Sequence, residues 1–354
     1  MRIPRWGRKG NYSYACARVK AKKKFLLSKD NYPKLLMMDL NEIGRFLGET
    51  QYKVEMAALA SKWDGVNLIE LGTSRNLARV YTEILGFTKG DLREMVASYL
   101  GRWDAWNIKT ILRGKYYGAS VDEIKEDLVA AGSISEETLN RLVSLENVQE
   151  VLEALKGMET IQLSEELISS VERTGTLAQI EDYLDKVYYE RLLSKIDRRS
   201  KAGKEFYSYV AREIDVLNVM TLLKCKRENL SADRITGFFV PGGEEIDQKE
   251  FIRLATVEGM DKLLSELSNL RMFSENKEGL EAFRRTGSLA EISLALQRYT
   301  LESSEKFSRL YPLSVLPILD FIIRKKVEVD NIRIIARGKE SGMDPELIKR
   351  LLVI

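Results

Sequence analysis

At 354 residues, 44% hydrophobic and 31% charged, the chain has the composition of a folded globular protein and the length to bury several cores. It has no histidine and only two cysteines, Cys16 and Cys225, which excludes Cys/His zinc sites, removes the commonest general base and suits a reducing cytoplasm. The formal net charge of +3 hides an asymmetry: residues 1–30 carry ten Lys or Arg against Asp30 alone, and the rest of the chain is net −6.

The basic start is not followed by an apolar run, so no secretory signal is expected. Such an end suits nucleic acid, anionic lipid headgroups or an acidic partner, and a solvated helix face explains the same charges. The candidate membrane-surface contacts are Arg2, Arg5, Arg8 and Lys9. No proline occurs between Pro33 and Pro241, which removes the strongest helix breaker from that span. Capping boxes are expected at Asp39/Glu42, Asp91/Glu94, Ser120/Glu123 and Asp247/Glu250, with Leu40, Ile43 and Leu47 forming an apolar stripe behind the first.

A segment beginning Asp104 and running through Asn107-Ile108-Lys109-Thr110-Ile111-Leu112-Arg113-Gly114-Lys115 is then written twice more. It returns from Asp215 through Asn218 to Lys226, and from Glu328 through Asn331 to Lys339. The register holds through Ser120, Ser231 and Asp344, then Ile124, Ile235 and Ile348, then Val129, Val240 and Val353. Relative to the Asn, positions 0, +1, +4 and +5 share one helix face, and the acid at −3 lies one turn earlier on it. The acid and Asn read as buried polar groups between helices. Glycine at +7 (Gly114, Gly338) suits a left-handed helix end; Cys225 at that place predicts a different or strained ending. The cations at +6 and +8 are Arg113 and Lys115, Lys224 and Lys226, and Arg337 and Lys339. They complement the helix dipole in a last turn, or form three clusters facing a partner; coincidence with the expected cap glycine favours the first.

A shorter echo precedes two copies, Arg173–Ile180 and Arg285–Ile292, with Asn76–Val80 as a weaker, earlier-lying version, making the first block about eleven residues shorter between echo and motif. The longest apolar stretch, Leu310–Leu319, holds Pro312 and Pro317 and stops at Asp320, so no membrane-spanning helix is expected. Asp344-Pro345 supplies an N-cap followed by proline at the first helical position. The chain reads as all-α, in blocks 1–129, 130–240 and 241–354, with exposed connections at Ala131-Gly132-Ser133 and Pro241-Gly242-Gly243. No phosphate-binding loop occurs, and no carboxylate pair is marked as catalytic, so neither an enzyme nor a cofactor is expected.

The triplication, with Tyr14–Ala21, Tyr99–Asp104, Pro312–Pro317 and Asn331–Lys339, resembles the C subunit of archaeal A-type ATP synthases, the equivalent of the d subunit of V-type ATPases. The resemblance covers nearly everything after Tyr12 and departs slightly at Leu316, where the family usually carries a smaller residue. It implies three similar helical lobes arranged with pseudo-threefold symmetry as a funnel around a central cavity. It further implies a non-catalytic rotor subunit, peripheral at the cytoplasmic face of the membrane, between the central stalk and the proteolipid ring. Neither a small-molecule substrate nor nucleic acid is expected as a partner. The six motif cations would then be candidates for the stalk interface. Two other classes fit parts of the sequence: an open helical-repeat scaffold, and a nucleic-acid binder using the basic arm. Blocks over twice the usual solenoid repeat argue against the first, and the net-acidic remainder argues against the second.

Overall fold

The computed structural model describes residues 9–158, 161, 163–274 and 277–354; Arg2, Arg5 and Arg8 lie outside them. Among the described residues there are twenty-one helices and no strand, so the chain is all-α. The fold divides into two compact units, one running to Lys195 and including Arg324–Arg350, the other comprising Ile196–Ile323 with Leu351–Ile354.

In the first unit the long helix Gly65–Phe87 packs on Leu40–Gly48 and Lys53–Leu59. The helix carrying the first motif, Arg102–Tyr117, packs on Ala178–Ser194 and Val148–Lys156. In the second unit the second motif helix, Lys201–Arg227, packs on Leu289–Leu310 and Gln248–Thr256 around Phe251, Leu263, Phe273 and Ile292. The third motif lies on Leu316–Glu340. Short helices bury residues at i, i+3 and i+4: Tyr32, Leu35 and Leu36; Leu139, Leu142 and Val143; Phe251, Leu254 and Ala255. That spacing is the inward stripe of an amphipathic helix.

Each motif Asn is buried, as are Asp215 and Glu328, while Asp104 is half-buried. In the first two copies nearly all their bonds go to backbone. The Asn107 amide donates to the Val129 carbonyl at 2.8 Å while its oxygen accepts the Val129 N–H at 2.9 Å. Asn218 clamps Val240 in the same way, at 2.9 and 3.0 Å. The Asp104 carboxylate accepts the backbone N–H groups of Ser133 and Ile134, each at 2.9 Å, and the Ser133 hydroxyl at 2.7 Å. Asp215 accepts the N–H groups of Glu244, Glu245 and Ile246 at 2.9 to 3.0 Å. Burial raises the Asp215 carboxyl above its ordinary value, opposed by those three amides, which favour the charged form. Gly132 and Gly243 are required here: a Cβ would lie 2.0 Å from the Asp104 Oδ1 and 2.1 Å from the Asp215 Oδ1.

The helix ends differ from expectation in two ways. The motif helices do not stop at +7. They end four residues later, where Gly118, Asn229 and Gly342 take the left-handed conformation, with φ of 74°, 55° and 67°. The next residue's N–H (Ala119, Leu230, Met343) then bonds back to the +7 carbonyl at 2.8 to 3.0 Å. Gly114 and Gly338 are small for packing instead: a Cβ would sit 2.3 Å from Ile124 Cγ1 and 2.7 Å from Ile348 Cγ1. Cys225 fills that place without changing the ending, so the expected strain is absent there.

Of the four expected capping boxes, Asp39/Glu42 and Ser120/Glu123 form fully. Asp247 accepts the Glu250 N–H, but Glu250 turns to Arg253, and no box is closed. Asp91 is not a cap. Its carboxylate accepts the Gly10 N–H at 2.6 Å and the Tyr12 hydroxyl at 2.9 Å, tying down the start of Tyr12–Lys23. Asp344 caps Pro345–Leu351 as expected, accepting the Glu346 N–H at 2.8 Å.

Gly114→Ala gains about 1 kcal/mol of helix propensity yet forces a methyl into Ile124, and overpacking typically costs about 1–3 kcal/mol. Its thermal midpoint should therefore fall, and that of Cys225→Ala should fall less. A Gly114→Ala protein as stable as the parent in urea would show that the close approach is unimportant.

Candidate functional site

The third motif departs from the other two in its acid. Glu328 replaces Asp, and the segment it holds, Lys24–Leu27, contains no glycine, so the backbone cannot come as close and the longer side chain bridges the gap. Its carboxylate accepts the Leu27 N–H, the Gln51 amide at 2.9 Å and the Tyr52 hydroxyl at 2.6 Å. Lys325, one turn earlier, is 0% exposed; its ammonium lies 2.9 Å from Glu328 Oε1 and 3.9 Å from the Tyr52 ring centroid. Loss of hydration lowers the Lys325 pKa to about 8, opposed by Glu328, while burial and Glu328 hold the Tyr52 phenol well above its usual value.

A second polar chain lies beside this pair. Glu55 accepts Asn76 and Arg79, at 2.9 and 2.5 Å, Arg79 also donates to Glu83 at 2.6 Å, and Lys22 reaches Glu83 at 2.5 Å. Gln51 joins the two chains, since its carbonyl accepts Asn76 while its amide donates to Glu328. The first helix, the long helix and the third motif are thereby linked by three cations and three carboxylates of balanced charge.

The six cations proposed from sequence do not form one class. Lys226 donates to the Val257 carbonyl at 2.8 Å and Lys339 to the Leu36 carbonyl at 2.7 Å, so both cap the C-terminal end of another helix. Arg113 makes a two-pronged pair with Glu181, at 2.5 and 2.6 Å, and Lys109 reaches Asp185 at 2.6 Å. Arg337 grips Glu70 in the same two-pronged way, with Arg333 on Ser74 one turn earlier. Lys115 is half-buried at its helix end, and Lys224 is exposed with no ion pair among the described residues. Lys9 is exposed.

The matching grips of Arg113 and Arg337 also correct the spacing between echo and motif. They equate Glu70 with Glu181, and each lies 37 positions before its own motif Asn. The spacing ahead of the motif is therefore not shorter in the first block, and Asn76–Val80 is not the counterpart of the later echoes. Left-handed glycines at Gly65, Gly175 and Gly287, at or just before each long helix, keep nearly the same spacing from the motif. The signal in the sequence is the cation at +2 in the first and third copies (Lys109, Arg333), hidden because Met220 occupies that place in the second.

Nothing in this arrangement converges on a reacting atom. No group of metal-ligating side chains occurs among the described residues. Cys16 and Cys225 are both buried, and burial raises the Cys16 thiol to about 11, which leaves little thiolate near neutrality. A cleft of about 760 Å³ lies in the first unit between Trp63, Arg75, Arg79, Asp122 and Glu126, open to solvent and mixed in charge. No helix among the described residues is long and apolar enough to cross a membrane.

Removing Lys325 should expose the energetics of the buried pair. Lys325→Met leaves Glu328 charged and without its cation, a change that costs roughly 3–5 kcal/mol, and Glu328→Gln in the same chain should recover part of it. The folded pKa of Lys325 lies below its ordinary 10.5, so between about 8 and 10.5 the unfolded chain binds more protons. The parent should accordingly gain stability relative to Lys325→Met as pH rises through that window. Identical unfolding curves across it would show that the buried ammonium has no part in holding the fold.

The family described as ATP synthase (C/AC39) subunit matches residues 15–351. The A-type ATP synthase C subunit of Methanosarcina mazei is 41% identical, with 97% of this chain and 93% of that protein aligned. The C subunit of Methanococcoides burtonii is 37% identical over 98% and 96% of the two chains, and that of Haloferax volcanii 35% over 97% and 98%. With the match spanning nearly all of the chain, from the first helix through the third motif, this protein belongs to the ATP synthase (C/AC39) subunit family.

Proposed function

We propose that this chain is a non-catalytic subunit of the central rotor of an A-type ATP synthase, a socket between the central stalk and the membrane proteolipid ring. In that role it couples ion flow to ATP synthesis, or ATP hydrolysis to ion transport, at the cytoplasmic face of the membrane. The reading rests on full-length membership in the family together with a thrice-repeated helix motif whose charges hold segments together. A torque-bearing part needs stiffness, and carboxylates that each bind several donors of a distant segment at once supply it. The lobes of the proposed funnel are 1–129, 130–240 and 241–354, arranged with pseudo-threefold symmetry.

Within that reading the stalk contact falls unevenly on the six cations. Lys226 and Lys339 are engaged with backbone carbonyls, while Arg113 and Arg337 keep partly exposed guanidinium groups beside their glutamates. Lys224 is the cation available in full.

Purified protein should recover the stalk subunits and the proteolipid ring from a membrane extract of its host, identified by mass spectrometry. Recovery of neither sinks the rotor assignment. Lys224→Ala should leave the melting temperature unchanged and weaken stalk binding about fivefold, as loss of one interfacial charge of roughly 1 kcal/mol would. Unaltered affinity removes Lys224 from the interface.

A further inference from the structure

We propose that the outer face of the first helix, Tyr12–Lys23, with the turn that follows it, docks on an anionic lipid surface. Ala15, Cys16 and Val19 are buried against the protein, which leaves the opposite face outward. The exposed part of the helix carries Tyr14 and Arg18 on one flank and Lys20 on the other, the turn adds Lys24 and Phe25, and no acidic residue lies anywhere on the helix. Phe25 is 67% exposed and Tyr14 53% exposed, unusual for aromatic rings on a surface with cations on the same side. Aromatic rings settle at headgroup depth, and cations beside them meet lipid phosphates, so the pairing fits a bilayer interface better than a purely electrostatic partner.

The nearby acids do not cancel these charges. Glu83 is taken by Lys22 and Arg79, and Asp91 by the Gly10 N–H and the Tyr12 hydroxyl. Arg18 donates to the Tyr14 hydroxyl at 2.9 Å and lies 4.6 Å from the Phe87 ring centroid, contacts that leave its charge unneutralised. Lys20 and Lys24 are exposed. The basic sequence ahead of the helix, with Trp6 among Arg2, Arg5, Arg8 and Lys9, has the same mixture of aromatic and cation. The inference rests on the rotor reading only in placing the chain beside a membrane.

The test is flotation of the full chain with phosphatidylcholine vesicles lacking phosphatidylglycerol or holding about a third of it, at low and high salt. Binding should require the anionic lipid. It should fall about fivefold for each cation removed, hence roughly twenty-five-fold for Lys20→Ala/Lys24→Ala, and further when residues 2–9 are deleted. Tyr14→Ser/Phe25→Ser should also weaken it, with the cations intact. Tyr14, Lys20, Lys24 and Phe25 are exposed, so unchanged melting should accompany the loss in both double variants. Absence of flotation on anionic vesicles overturns the proposal, as does binding insensitive to all three changes. Tighter, salt-sensitive binding to a single-stranded oligonucleotide than to vesicles overturns it in favour of nucleic acid. Stalk binding is read on the same variants: its retention alongside lost flotation separates the two readings, and its absence in the parent strikes the rotor assignment alone.

Discussion

A carboxylate one turn before each motif Asn gathers the unpaired amides of a distant segment, and the other contacts of the repeat are arranged around that bond. A loop that enters a helix presents N–H groups with no partner of their own, and leaving them buried and unbonded is costly. Asp104 and Asp215 each satisfy two or three of them at once, with the added strength of a charged acceptor. The geometry explains why glycine stands at 132 and 243, where a side chain would collide with the carboxylate, and why Glu stands at 328, where the loop has no glycine to let it approach. One turn along, the Asn of the first two copies clamps the residue that ends the block, and glycine at +7 in the first and third admits an isoleucine from the short helix that follows.

The cations follow the same rule. Lysine and arginine at the helix ends are engaged with glutamates and with the exposed carbonyls of neighbouring helices, interactions that lower the cost of bringing polar helix ends together. What is left over is a small set of charges with no internal duty, Lys224 and the outer face of the first helix among them. A protein organised in this way uses most of its polar chemistry for rigidity.

Much of this was legible in the residues. The helical content follows from the missing prolines and the caps, and the three copies of the motif place Asn107, Asn218 and Asn331 in one register before any contact is known. That the acid and Asn turn inward was also readable, since polar residues on an apolar helix face must find partners inside. The ends of the helices were not, because glycine has two uses that look alike in sequence. Gly114 and Gly338 are small to admit a neighbour, whereas Gly118 and Gly342 adopt a left-handed turn, and Asn229 performs the second task without being glycine. Asp91 is deceptive in the same way, because an acid three residues before a Glu has the pattern of a capping box whether or not a distant hydroxyl claims it first.

Fold class, repeat and register are therefore properties of the residues alone, because they depend on local propensity and on patterns that recur at fixed spacing. The partner that each charge takes is a property of the packed molecule. A lysine or arginine at a helix end has several possible acceptors within reach of its flexible stem, and the choice rests on which carbonyl or carboxylate the packing of other helices brings near. Lys226 and Lys224 lie two residues apart, yet one is bound to the Val257 carbonyl and the other faces solvent. Lys325 shows the same limit most plainly: nothing in its surroundings along the chain distinguishes a surface lysine from one buried between Glu328 and the Tyr52 ring.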